Sequence, residues 1–306
     1  MVLTFGPVAC GGGQSEAESA ESSSMSPADA RKYLAALGHN QGNPPPDPTS
    51  MEEVLTILRT DDVRRFEGAT RFTEGLQGAE GLSVRAMIEL MTSDIYATGD
   101  RLVTELGRRL EAELKRLAEK QESGIALTDA EKADEKALKE RHDVFSQSSM
   151  AMAVLAREHL HAGGALAIEA VKQYPQSQEG YRVAAYYYLL KNDWLRYDDM
   201  MAPLEGQDDA VLSYFVALEN LHRNADKEDC RTFLQKALEQ NPQMVRAQAL
   251  LVLVQDDIDG RYDELQKLKK MKPDHPIVIT AGAMIEAEYE TSQSVRNAMA
   301  DSPSEK

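Results

Sequence analysis

Residues 179–199 read EGYRVAAYYYLLKNDWLRYDD, and the fold follows from how this stretch divides. A helical pattern runs to Leu190, breaks at Asn192-Asp193 and resumes at Trp194, which gives two helices joined by a tight turn. Consecutive side chains on a helix point about 100° apart, so the tyrosine triplet 186–188 serves three directions and forms no single aromatic patch. Ala184 and Ala185 are small enough to let a neighbouring helix approach. Tyr188 is expected in the core, and Tyr187 against a neighbouring helix.

The same punctuation recurs through the second half of the chain. Gly163-Gly164 and Asp259-Gly260 also interrupt helical patterns, and Pro175, Pro203, Pro242 and Pro273 each follow a helix end. The result is a series of helix pairs at roughly 30–39 residues per step, the range of a helical solenoid. A lone pair cannot cover its apolar face, whereas stacked neighbours bury a continuous core.

Composition fits a folded chain of one large or two ordinary domains: 306 residues, 42% hydrophobic, 28% charged. Acidic residues outnumber basic ones 51 to 34, a net charge of −17. That field repels phosphate backbones and acidic headgroups, which argues against nucleic acid as a partner. No apolar run has the length of a transmembrane helix. The two cysteines, Cys10 and Cys230, provide neither a disulfide framework nor a CxxC motif. Cys230 shares a helical face with Leu234 and Ala237 and is expected to be buried.

The first half reads as helix after a polar start. Residues 11–25, GGGQSEAESAESSSM, hold too little apolar surface to offset chain entropy and are expected to form a flexible tether. Order should begin at Ser26, an N-cap followed by proline, and this first helix should stop at Gly38. The prolines of 40–48 exclude helix. Helical spacing then covers 49–72 and the stretch from Val84 to Ile95. In 100–122, Val103, Leu106, Leu110, Leu114 and Leu117 share one face. Thr128 and Glu131 form a capping box for a second charged helix, with Ala133, Ala137, Leu138 and Val144 facing inward. Residues 100–145 are thus expected to form a helical hairpin inside an α-helical region spanning 26–145. No strand pattern of useful length occurs, and the expected class is all-α.

The second half resembles the tetratricopeptide repeat (TPR) family. Tyr181, Ala184, Ala185 and Tyr188, then Asn192-Asp193-Trp194, match the family's first helix and turn. Tyr214, Ala217, Leu218 and Leu221, with Cys230, Leu234, Ala237 and Pro242, match a whole unit. Flanking units at GGALAIEAVKQYP and DGRYDELQKLKKMKP keep turn and proline, with second helices expected to be short by a turn. The resemblance implies a right-handed TPR-like solenoid over 146–290, a terminal helix over 276–289 and a disordered tail over 291–306. It further implies a concave groove lined by Arg182, Tyr186, Phe215, Glu219, His222 and Arg223, suited to a partner peptide or helix. His222 and Arg223 also fit a plainer role, as cations at a helix C-terminus.

Motifs for catalysis are missing. His159 and His161 lie two apart, on different helix faces, and no HExxH is present. DDIDG (256–260) fails as a calcium loop: with Gly260 in register, Gln255 and Gln266 take ligand positions. There is no phosphate-binding GxxxxGK[ST] and no GxSxG. No catalytic residue, metal site or cofactor is therefore expected; an enzyme with an unrecognised site between the 49–145 helices and the repeats is the outlying alternative.

Near the start, Val8-Ala9-Cys10 resembles the end of a bacterial lipobox, with Pro7 where leucine is usual, and 1–10 as the remnant of a lipoprotein signal peptide. The short apolar segment and the lack of a preceding Lys or Arg depart from that pattern, as a start codon assigned too late would explain. The expectation is a scaffold or assembly factor of the bacterial cell envelope, lipid-anchored at Cys10 and facing the periplasm. The alternative is a soluble cytoplasmic interaction module with a silent N-terminus. Nothing near Cys10 would lower its pKa, which argues against a reactive thiol.

Overall fold

The computed structural model describes residues 25–39, 45–76, 78–223 and 226–300. Cys10 and most of the expected tether lie outside these residues. Among the described residues there are twelve α-helices, two short 3-10 turns and no strand. They are α1 (Pro27–Ala36), α2 (Met51–Arg59), α3 (Phe66–Glu74), α4 (Ala79–Glu122), α5 (Asp129–Gln173), α6 (Gln178–Leu190), α7 (Trp194–Met201), α8 (Ala210–His222), α9 (Lys227–Gln240), α10 (Val245–Val254), α11 (Ile258–Met271) and α12 (Pro276–Ala300).

Local signals set several boundaries. Ser26 caps α1 by accepting from the Asp29 backbone N–H, and the chain leaves through Gly38 at φ 110°. The Thr128–Glu131 capping box is formed in both directions.

Two helices dominate, and both run through expected breaks. The Val84–Ile95 stretch and the first arm of the expected hairpin are one helix, α4, of 44 residues, about 66 Å long at 1.5 Å per residue. Gly163-Gly164, expected to mark a turn, lies inside α5, which passes through it unbroken. These glycines instead provide clearance. A Cβ on Gly163 would lie 2.9 Å from the Leu90 side chain of α4, and one on Gly164 would lie 2.1 Å from the Tyr187 ring of α6. A side chain at either position would force the facing residue to shift, so the two glycines let α4 and α6 approach α5 this closely.

Beyond the body, α4 and α5 pair as an exposed arm. Of the expected face, Val103, Leu106, Leu110 and Leu117 are buried and Leu114 is half-buried. On α5 the register differs from expectation: Ala133, Ala137 and Val144 are exposed and Leu138 is half-buried. Glu131, Glu135, His142 and Phe145 occupy the more sheltered positions instead. Polar ties therefore hold the distal arm, among them Lys120–Glu131 at 2.5 Å and His142–Glu111 at 3.1 Å. The Lys120 ammonium, with Thr128, lowers the Glu131 carboxyl to about 2.

In the second half, α6 packs with α7, α8 with α9 and α10 with α11 as successive hairpins. Helix lengths depart from expectation. The segment GGALAIEAVKQYP belongs to α5, and α11 is a full 14 residues, equal to α9. The short second helix is α7, with 8 residues, closed by a 3-10 turn at Ala202–Leu204 that holds Pro203. α12 runs to Ala300, beyond the expected end at 289 and into the expected tail. Cys230 is buried and its thiol donates to the Ala217 carbonyl at 3.2 Å.

α10 (VRAQALLVLV) is buried on every face, as a helix apolar nearly all round must be. Its N-terminus has no local side-chain cap. Asp61, in the turn after α2 at φ 47°, supplies one from far along the chain, its Oδ2 accepting from the Arg246 backbone N–H at 2.9 Å. Asn241 donating to the Arg59 carbonyl at 2.8 Å and Lys272 paired with Asp62 at 3.3 Å fasten the same turn to the C-terminal hairpins.

Candidate functional site

The expected groove residues divide into two sets. Tyr186 and Phe215 are fully buried, their rings stacked with centroids 4.7 Å apart. What encloses them is this chain's own α4. The Tyr186 and Tyr214 hydroxyls both donate to Asp94 Oδ2 of α4, each at 2.5 Å, while the Thr98 hydroxyl reaches Oδ1 at 3.5 Å. Burial, reinforced by the Asp94 charge, holds both phenols well above their usual range, so they act as fixed donors. Tyr188, the expected core member of the triplet, is only half-buried under Arg196. Because α4 crosses the face that carries Tyr186, the triplet is turned the other way round.

Arg246 completes this centre. Its guanidinium lies 5.2 Å from the Tyr214 ring and 5.8 Å from the Tyr186 ring, and 3.4 Å from Asp61 Oδ1. Burial raises the Asp61 carboxyl to about 6, with Arg246 the main opposing influence.

The other four residues remain nearer the surface. Arg182 pairs with Asp209 at 2.8 Å. Arg223 pairs with Glu219 at 3.1 Å and lies over the Trp194 ring, 4.6 Å from its centroid. His222 accepts at Nε2 from Arg101 of α4 at 2.7 Å and donates at Nδ1 to Asn192 Oδ1. Burial and the Arg101 charge lower it to about 4, which keeps this neutral tautomer. Both ring nitrogens are thus committed to joining α8, the α6–α7 turn and α4. Arg101, Asn192, Trp194, Leu221 and His222 border a cleft of about 360 Å³. Leu195, beside it in sequence, is 77% exposed.

A larger cleft, of about 610 Å³, lies where α1 and α3 meet the crossing of α4 and α5. Its polar lining, which includes Arg31, His39, Arg64, Glu67, Glu89, Thr92, Tyr96 and His159, forms no motif in sequence. His159 Nδ1 donates to Glu89 Oε2 at 2.7 Å, and its ring stacks with Tyr96 at 6.1 Å. The available signal was polar residues at 89, 92 and 96, three and four apart on one face of α4. Their partners come from distant segments. Among the described residues, no group of three or more His, Cys, Asp or Glu is placed to hold a metal ion, and no helix is long and apolar enough to cross a membrane.

No family model, curated protein or solved structure matches the chain.

Proposed function

We propose that this chain is a non-enzymatic protein–protein interaction scaffold built on TPR-like helix pairs, in which 146–290 forms a short solenoid. What supports this reading is the helix seated against the hairpins: α4 lies against α6 and α10, with Tyr186, Tyr214 and Arg246 gathered around its Asp94. A surface of this composition receives a helix, and here the chain provides its own.

A partner segment would then use the patch that α4 leaves uncovered, around Trp194, Glu219 and Arg223. An aromatic face beneath a guanidinium, with a carboxylate beside it, suits a polar peptide carrying an apolar anchor. A photo-crosslinking amino acid at exposed Leu195 tests this in the native host. The expected result is a discrete adduct that disappears in Trp194→Ala and Arg223→Ala chains with unchanged helical signal. Adducts unaffected by both substitutions would remove the patch from consideration.

The address proposed is the bacterial cell envelope, through lipid on Cys10, with the cytoplasm as the alternative. Labelling with a palmitate analogue separates the two: envelope anchoring requires signal that Cys10→Ser abolishes.

A further inference from the structure

The cleft between α1, α3 and the α4–α5 crossing has no part in the proposed scaffold, and its hydrogen-bond directions define what it can bind. The Asp274 carbonyl can only accept, so His39 Nδ1 carries the proton and donates to it at 3.1 Å. His39 Nε2 must then accept, and the Tyr96 hydroxyl donates to it at 3.1 Å. The Thr92 hydroxyl gives its proton to the Ile88 carbonyl at 2.8 Å. His159 gives its Nδ1 proton to Glu89 at 2.7 Å.

With these protons directed inward, the lone pairs of Tyr96 Oη and Thr92 Oγ1 remain for a ligand, beside the Glu89 carboxylate. Glu89, Thr92 and Tyr96 share one face of α4 and span about 10 Å. That wall accepts hydrogen bonds and carries negative charge. On the other side, α1 contributes the Arg31 guanidinium, whose Nη2 is held by Glu158 at 2.5 Å while its other N–H groups remain to donate. Val63, Phe66 and Ile88 supply apolar surface to the same cleft.

We propose that this cleft binds a zwitterionic ligand of the amino-acid or short-peptide class, its ammonium on the Glu89–Thr92–Tyr96 face and its carboxylate at Arg31. An ammonium brings several donors and a positive charge to a face that offers acceptors and a negative one. The carboxylate takes the charged fork of Arg31. An apolar side chain fits against Val63, Phe66 and Ile88. The volume lies within the range of small-molecule sites.

The test is a titration of the full chain, carrying isotope-labelled histidine, with leucine, phenylalanine and the dipeptide leucyl-phenylalanine, read at the His159 ring signals. These signals are assigned by their loss in His159→Gln. The expected result is saturable changes in those signals with the dipeptide, weakened at least about tenfold by N-acetylation and by C-terminal amidation, each removing one charge-assisted contact. Arg31→Gln should weaken the dipeptide similarly but leave its amidated form unaffected. Absence of any change at millimolar concentrations of all three compounds would overturn the proposal, as would equal binding of the capped and free dipeptides. The comparison of capped with free dipeptide is made on the unaltered protein, and a variant enters it only to assign the His159 signals.

Discussion

Arg246→Met isolates the energetics of the centre of the molecule. Arg246 is 4% exposed and lies between the buried carboxyls of Asp61 and Asp94, the second held through the two tyrosine hydroxyls. Methionine fills much of the same volume but leaves both carboxyls without a cation. Breaking a buried pair from one side costs about 3–5 kcal/mol, a large share of the ~5–15 kcal/mol that stabilises a typical domain. The pH dependence carries a definite sign. The Asp61 carboxyl is raised from 3.8 to about 6 on folding, so the folded state holds that proton more tightly than the unfolded state. Stability from this group is therefore full at low pH and declines by about 3 kcal/mol as pH rises from about 4 to about 6. Without Arg246 the Asp61 carboxyl is pushed higher still, and the decline continues past pH 6. The stability gap between the two proteins should widen from pH ~5 to ~8, by about 1.4 kcal/mol for each pH unit over which the decline is prolonged. Histidines kept neutral by burial, His39, His222 and His275, are present in both proteins and largely cancel in the difference. Urea unfolding, followed by far-ultraviolet circular dichroism and by fluorescence of Trp194, measures the gap. A gap below about 1 kcal/mol, or one constant with pH, would refute the reasoning. Asp61→Asn combined with Arg246→Met should cost less than the sum of the two single changes.

Tyr214→Phe removes one of the two hydroxyls on Asp94 and should cost about 1.5–3 kcal/mol in the same unfolding assay, since the acceptor is charged; a loss below experimental error would make that hydrogen bond ornamental. Gly164→Ala forces a Cβ toward the Tyr187 ring and should lower stability by about 1–3 kcal/mol, with the loss reduced when Tyr187→Ala is added. His275 occupies the capping position before Pro276, its Nδ1 accepting from the Ile277 N–H, and burial lowers it to about 3. Its folded value lies below its unfolded one, so stability is lost as pH falls below about 6.5, at up to ~1.4 kcal/mol per pH unit. His275→Asn preserves a capping oxygen and should flatten that acid limb. Thr128→Ala should cost about 1 kcal/mol locally, seen as faster amide exchange at the start of α5 with the body unchanged.

What the sequence determined was whatever depends on neighbours three or four residues away. The helix starts at Ser26 and Thr128, the stop at Gly38, the buried face of 103–117, the burial of Cys230 and the all-α class all come from caps and spacing, which act within a turn or two. Tertiary structure decided where local signals were ambiguous or absent. A double glycine weakens a helix locally and so reads as a turn; in α5 it persists because two other helices need the space its missing side chains leave. The tyrosine triplet offers three faces, and the chain cannot choose among them until α4 lies against Tyr186 and brings Asp94 to its hydroxyl. The same contact covers Tyr186 where the repeat resemblance implied an open groove, an outcome no property of 179–223 alone could reveal. The cleft around Glu89 and His159 was invisible for a related reason: its groups come from α1, the 3-10 turn after α2, α3, α4 and α5, and only the crossing of the two long helices sets them side by side.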